Sequence, residues 1–476
     1  MASEPSAPPA STPRRGLNAQ MIQVWMTWGA RFLPFADVAS AELPLSRLLR
    51  LSLIQVSVGM CLVLLVGTLN RVMIVELGVP ATLVGVMLAL PLLAAPFRAL
   101  IGHKSDTHKS ALGWRRVPYI YIGTMIQFGG LAIMPFALLV LAGAQEAYDE
   151  KVWLGQPAAA LAFLLVGAGI HTTQTVGLAL ATDLTKPEQQ PNVVGLMYVM
   201  LLLGSITAAF FFGWALEDFS QGRLIQVIQG MAVITILLNF TALWKQEARI
   251  PHYKRTEPAT PDPTFRESWN LFASKDKAVL RLIAVGLGTL AFSMSDIVLE
   301  PYGGEVLKLG VGTTTMLSAI MAFGSLLGFA YASYILSLGA DPFRMASLGA
   351  LIGLPAYALI IFAAGSDTPS IFTLGVLLAG IGTGLFGHGT LTATMLLAPR
   401  SQVGIAMGAW GAVQATSQGV GATIGGIIRD VANGIGIGLD LPGNASGYVI
   451  IFSLELAFMV ATLAAMWPLM RRGSAD

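Results

Sequence analysis

Hydrophobic residues run together in this chain in twelve long stretches, near 51–70, 80–101, 117–142, 157–182, 192–216, 224–244, 280–300, 311–336, 343–364, 370–397, 402–428 and 447–470. A helix needs about 20 apolar residues, rising ~1.5 Å each, to cover a hydrocarbon layer ~30 Å thick. Each stretch therefore predicts a membrane-crossing helix. The twelve fall into two sets of six around one charged segment, so the pattern predicts an all-α membrane protein with twelve transmembrane helices. A six-helix bundle is expected at 51–244, a linker at 245–279, a second six-helix bundle at 280–470 and a tail at 471–476.

The first 50 residues are patterned differently. Residues 1–20 are rich in Pro, Ala and Ser, lack the apolar core of a signal peptide, and predict a disordered tail. Over 21–46, Ile22, Trp25, Met26, Gly29, Phe32 and Leu33 repeat at helical spacing until Pro34. That spacing suits an amphipathic helix on the membrane surface. A helix that binds a partner protein is the alternative.

Composition agrees with the spans. Hydrophobic residues make up 55% of the chain and charged ones 11%, against about 25% charged in a soluble domain. The single cysteine, Cys61, lies inside the first span, so an intramolecular disulfide is excluded. Of the 28 Lys and Arg, 23 fall on the side that holds both termini; by the positive-inside bias that side is cytoplasmic. No Walker loop, zincin motif, nucleophile elbow or Cys/His zinc spacing is present, so no catalytic residues are expected and an enzyme is not. The basic residues sit near span ends rather than among aromatics, so nucleic acid is not an expected partner.

Parts of the two halves can be superimposed. His171-x-Thr173-x-Thr175 in the fourth span matches His388-x-Thr390-x-Thr392 in the tenth. Glu76-Leu77-Gly78-Val79 before the second span matches Lys308-Leu309-Gly310-Val311 before the eighth. Such repeats point to a 6+6 duplication, which resembles the major facilitator superfamily. The loop after the second span adds to this, because Gly102-x-x-x-Asp106 followed by Gly113-x-Arg115-Arg116 resembles the signature of that superfamily. The resemblance implies a cytoplasmic latch in which glycine allows close helix approach and the charges pair. Residues Thr107–Leu112 separate Asp106 from the arginines, a departure from the usual spacing, and ordinary positive-inside anchoring is the competing explanation for Arg115 and Arg116.

An ionisable group at membrane depth costs about 2.5–3.5 kcal/mol on insertion scales, so the few present here invite explanation. His171 and His388 lie within the fourth and tenth spans. A lone membrane histidine is commonly a neutral imidazole bonded to a neighbouring helix; two at matching positions make ligation equally plausible. Neutral imidazole is a general metal ligand, so each is a candidate axial ligand to a pigment magnesium, with Gln174 a weaker one. Asp296 and Glu300 lie four apart, on one face near the end of the seventh span. They read as wet residues at a helix mouth, with Pro301-Tyr302-Gly303-Gly304 breaking the helix after them; proton coupling is the alternative. Glu455 and Arg98 complete the set of polar candidates. The glycines between Gly404 and Gly426 predict close packing of the eleventh span, with a flat groove for a planar ligand as the alternative.

Several long strings resemble one branch of the facilitator superfamily, the bacteriochlorophyll delivery (PucC/LhaA) family. They include LPLSRLLRLSLIQVSVGM at 43–60, GTLNRVMIVELGVPA at 67–81, LPLLAAPFRALIGHKSDTHKSALGWRRVPYIYIGT at 90–124, HTTQTVGLALATDL at 171–184, DIVLEPYGGEVL at 296–307 and GAWGAVQATSQGVG at 408–421. The likeness covers nearly all of 43–430 and fits the LhaA branch slightly better than the PucC branch. It implies assembly of light-harvesting antenna complexes, the core antenna first, in a bacterial inner membrane. It further implies bacteriochlorophyll as the bound or carried cofactor. Implied partners are antenna polypeptides and membrane lipid, with the reaction centre and a bacteriochlorophyll synthase as neighbours. Two alternatives stay open: a chaperone that never binds pigment, and a proton-coupled transporter of a small solute using Arg98, Asp296 and Glu300.

Overall fold

Among the described residues of the computed structural model, every regular element is helical; these residues are 45–93, 98, 101, 104–105, 113–141, 152–186, 190–247, 274, 277–366, 368–397, 403–435 and 445–470. The order is α1 (Ser46–Glu76), α2 (Ala81–Leu93), α3 (Val117–Leu141), α4 (Val152–Asp183), α5 (Gln190–Ala215), α6 (Gln221–Leu243), α7 (Ala278–Glu305), α8 (Val311–Ser337), α9 (Pro342–Ser366), α10 (Pro369–Leu397), α11 (Val403–Ile435) and α12 (Ala445–Met466). Ten are long and apolar enough to cross a membrane. The other two are α2, which lies within the second predicted stretch, and α11, which covers nearly all of the eleventh and runs on to Ile435. The 1–20 tail, nearly all of the 21–46 segment, most of the 245–279 linker, the 471–476 tail, Gly102 and Asp106 lie outside the described residues.

Helix pairing repeats six helices on. In the first half α1 packs on α5 and α6, α3 on α4 and α6, and α2 on α4; in the second, α7 packs on α11 and α12, α9 on α10 and α12, and α8 on α10. Between halves, α2 meets α11 and α5 meets α8, a pair of contacts that the same shift interchanges. Hydrocarbon offers the backbone no hydrogen bonds, so the chain satisfies it within helices and leaves apolar side chains outward. Tyr121 and Phe136 on α3, Leu237 on α6, Phe362 on α9 and Val460 on α12 are such exposed side chains. The α11 glycines serve close packing: a Cβ on Gly426 would lie 2.4 Å from the Ala81 carbonyl oxygen, and one on Gly425 2.6 Å from that of Met294.

Two helices depart from the predicted pattern. α1 runs on past residue 70 to Glu76, with π-helical turns at Val63–Leu69 and Val72–Glu76. α7 is interrupted before Asp296 rather than after Glu300: an α-helix ends at Ser293, a 3-10 turn covers Ser295–Ile297, and Leu299–Glu305 is helical again. Pro301 sits in the first turn of that last segment, where a missing N–H costs nothing, so the expected proline break does not occur.

Bonds from Arg47 to Gln246 (3.2 Å from Nε) and from Lys277 Nζ to the Pro468 carbonyl (2.9 Å) gather the outer ends of α1, α6, α7 and α12 pairwise. The turns at 77–80, 216–220 and 306–310 form the opposite, distal end of the bundle.

Candidate functional site

His171 on α4 and His388 on α10 occupy equivalent helices of the two halves, and both rings are half-buried. Each has a buried Nδ1 without a hydrogen-bond partner among the described residues. The neighbouring threonines do not supply one, because their hydroxyls turn back onto their own helices. Thr172 donates to the Ala168 carbonyl, Thr173 to those of Gly169 and Ile170, and Thr390 to those of Phe386 and Gly387. The interhelical bond that ordinarily explains a membrane histidine is therefore absent at both Nδ1 atoms.

Aromatic side chains surround this level. The His388 ring centroid lies 4.1 Å from that of Phe329 on α8, which in turn stacks on Tyr198 of α5 at 6.4 Å. Tyr198 also packs against the cluster of Val285, Leu391 and Trp410, and so spans the two halves. Trp410 Nε1 donates to Thr390 Oγ1 at 3.3 Å. On the α4 side, Arg98 donates from Nε to Thr175 Oγ1 (3.0 Å) and from Nη2 to Gln174 Oε1 (2.9 Å). Gln174 Oε1 is thus engaged by a guanidinium.

The break in α7 forms a second polar region. Interrupting a helix at membrane depth exposes N–H and C=O groups, each of which needs a partner. Asn70 Nδ2, on α1, donates to the carbonyls of Asp296 (3.2 Å) and Ile297 (2.8 Å). Glu455 Oε1, on α12, accepts from the Ser295 N–H at 2.6 Å, and Ser295 Oγ bonds the Tyr357 hydroxyl at 2.8 Å. Glu300 Oε1 accepts from Ser318 Oγ on α8 and sits where Gly67 of α1 leaves room. Asp296 Oδ2 accepts from Gln418 Nε2 of α11 at 3.3 Å. Glu300 is 3% exposed and Glu455 0%, so the wet-mouth reading fails for Glu300. Nor do Asp296 and Glu300 act from one face, since the break turns one toward α11 and the other toward α8.

At the loop before α3, Gly113 takes a φ of 79°, a left-handed conformation natural to glycine. Arg115 and Arg116 then both reach Asp183 at the end of α4, Arg116 through Nε at 3.0 Å. Arg116 Nη1 also donates to Ser105 Oγ at 2.6 Å. Glu247, just past α6, accepts the N–H groups of Arg115, Arg116 and Val117 at 2.8–3.0 Å and so caps α3. These arginines therefore tie the loop to the end of α4 and to Ser105.

The distal end joins the halves. Asp430 of α11 accepts the Ala81 and Thr82 N–H groups at the start of α2 (3.1 and 2.7 Å). Arg429 pairs with Glu305 at 2.5 Å and donates to the Tyr448 hydroxyl at 2.9 Å. Arg71 pairs with Glu76 at 2.5 Å and reaches the Leu309 carbonyl at 3.2 Å. Sequence reasoning did not single out Asn70, Arg71, Asp430 or Arg429 as bonding residues; the signal for them was polar residues inside or beside apolar stretches.

Comparison with known proteins places this architecture. The PUCC protein family matches residues 68–474. Protein PucC of Rhodovulum sulfidophilum is 62% identical over 416 residues, covering 87% of this chain and 91% of that protein. Protein PucC of Cereibacter sphaeroides is 56% identical over 445 residues, covering 93% and 96%. A more distant relative from Rhodobacter capsulatus, named bacteriochlorophyll synthase 44.5 kDa chain, is 27% identical over 434 residues, covering 90% and 96%. Among solved structures, a D-xylose–proton symporter superposes with a TM-score of 0.66 at 13% identity, over 90% of this chain and 98% of that one. A bacterial homologue of the iron transporter ferroportin, inward-facing, gives 0.64 at 14%, over 89% and 98%. At such identities these two show the fold alone, a transporter-type helical bundle. Matched to one family from residue 68 to 474, and more than half identical to two PucC proteins along most of its length, this multi-pass membrane protein belongs to the PucC family.

Proposed function

We propose that the protein is a non-catalytic assembly factor of a photosynthetic inner membrane, one that binds bacteriochlorophyll and hands it to light-harvesting antenna polypeptides. The observation that carries this reading is the pair of half-buried imidazoles at repeat-related positions in a PucC-family chain, each with a buried Nδ1 that has no partner among the described residues. A chlorin magnesium takes one axial nitrogen or oxygen from protein, and neutral imidazole supplies such a donor. The donors present fit: His171 and His388 offer nitrogen, and Tyr198, Phe329 and Trp410 offer apolar ring faces for a planar macrocycle. Gln174, whose Oε1 accepts from Arg98, is the weaker donor beside them. A distant relative's name joins the same pigment chemistry to this fold. The lysine and arginine bias supports cytoplasmic termini.

Copurification tests the proposal. Tagged protein from pigment-making cells is expected to bring down antenna polypeptides together with bacteriochlorophyll. Antenna polypeptides without pigment would reduce the role to that of a chaperone. The second reading, solute transport, is favoured by the transporter-type fold and by the buried Asp296, Glu300 and Glu455 around the α7 break; solute uptake in vesicles, with no antenna partner, would establish it. The quoted strings lean to the core antenna while the named relatives are PucC proteins. Absorbance of a deletion strain separates the two, by which antenna band is lost first.

A further inference from the structure

Arg98 is bonded to α4 just beyond His171, and its only side-chain partners among the described residues are neutral: Thr175 Oγ1 at 3.0 Å and Gln174 Oε1 at 2.9 Å. Other arginines of the bundle do meet carboxylates: Arg71 pairs with Glu76, Arg115 and Arg116 with Asp183, Arg223 with Asp218, and Arg429 with Glu305 and Asp430. A cation within a membrane bundle is costly and calls for a named partner. Two neutral hydrogen bonds orient it without cancelling its charge. Those bonds come from α4, one helical turn beyond His171, so the guanidinium is fixed beside that ring.

Donor arithmetic then defines what is missing. A guanidinium has five N–H donors; one on Nε and one on Nη2 are spent on Thr175 and Gln174, and three remain, two on Nη1 and the second on Nη2, which together make the Nη1–Nη2 edge. The free edge suits two oxygens of one anion in the parallel, bidentate arrangement that makes arginine pairs strong. The helix that holds Arg98 through Gln174 and Thr175, α4, packs on α5, whose Tyr198 stacks on Phe329, and Phe329 in turn packs against the His388 ring. An anion alone does not need such a wall. An anion carried on an apolar body does.

We propose that Arg98, positioned by Gln174 and Thr175, receives a single oxyanion, carboxylate or phosphate, of an amphipathic ligand whose apolar body lies against Tyr198, Phe329 and His388. Esterified bacteriochlorophyll carries no such anion; a chlorin with its propionate free does, and so does an anionic phospholipid. The chlorin source rests on the pigment reading above, and the lipid source does not.

The test uses the full chain in phosphatidylcholine nanodiscs, titrated with zinc pheophorbide a, whose propionate is free, and separately with its propionate methyl ester. In parallel, native mass spectrometry measures retention of phosphatidylglycerol over phosphatidylcholine. Wild type is expected to bind the free acid about tenfold more tightly than the ester. Arg98→Gln should erase that preference by lowering acid affinity to the level of the ester, and Arg98→Lys, which keeps the charge but not the fork, should retain part of it. Gln174→Ala, which loosens the guanidinium without removing it, should weaken the preference and serves if Arg98→Gln is not monodisperse. Retention of phosphatidylglycerol that depends on Arg98, without acid preference, would support the site with lipid as its source. If no chlorin binds while that retention persists, the pigment reading fails and this one stands. Equal binding of acid and ester with no lipid selectivity, or selectivity that survives Arg98→Gln, overturns it, and the pigment reading is then untouched.

Discussion

Glu455 shows how much a single buried side chain does here. Its Oε1 accepts the Ser295 N–H that the α7 break leaves open, at 2.6 Å, from 160 residues away in sequence. Removing the acceptor leaves a buried donor unpaired, which costs about 1–3 kcal/mol. Glu455→Ala is therefore expected to lower the thermal midpoint in detergent, and Glu455→Gln, which keeps an acceptor oxygen, to lower it less; equal midpoints would contradict the bond. Its presence in an apolar stretch was visible in the sequence, but its partner was not, because nothing local to Ser295 announces an open N–H. Glu300 was misread for a related reason: the space it fills is left by Gly67 of α1, far from it in the chain, and its hydroxyl partner Ser318 comes from the next helix, α8.

Elements were most legible where apolarity alone decides them, and least where polar groups lie inside them. Asn70 and Arg71 look like the end of the first span. The helix continues past them because the Asp296, Ile297 and Leu309 carbonyls accept their donors. In α3 the start is set from outside, by Glu247 accepting three successive N–H groups. Glu247→Ala should cost about 1–2 kcal/mol, the scale of a lost helix cap, read as a fall in thermal midpoint that Glu247→Gln partly restores. The α1–α5 crossing depends on an absent side chain, since a Cβ on Gly59 would lie 2.1 Å from the Leu201 carbonyl oxygen. Gly59→Ala is expected to push the helices apart, at roughly 1–3 kcal/mol, and to reduce the monodisperse fraction on size exclusion. An unchanged elution profile would contradict this close approach.

For the whole molecule, the duplicated pairing of helices places His171 and His388 on equivalent helices, the bonds of Asp430 and Arg71 hold the two halves together at the distal end, and those of Asn70 join them at the α7 break. The repeat was readable from two short matching strings, whereas the distal join was not, because Asp430 and the start of α2 lie 348 positions apart. Asp430→Ala should open that join: amide exchange at Thr82 is expected to quicken about tenfold or more, while exchange in the α9–α10 pair stays as it was. Uniform quickening would mean general unfolding instead. The central claim, that this bundle handles bacteriochlorophyll through its paired imidazoles, is tested most directly by one near-infrared absorbance spectrum of protein purified from pigment-making cells. The wild type is expected to carry a bacteriochlorophyll band, and the His171→Ala, His388→Ala double variant, equally folded, to lose most of it. A wild type without pigment, or a double variant with an undiminished band, would contradict the account.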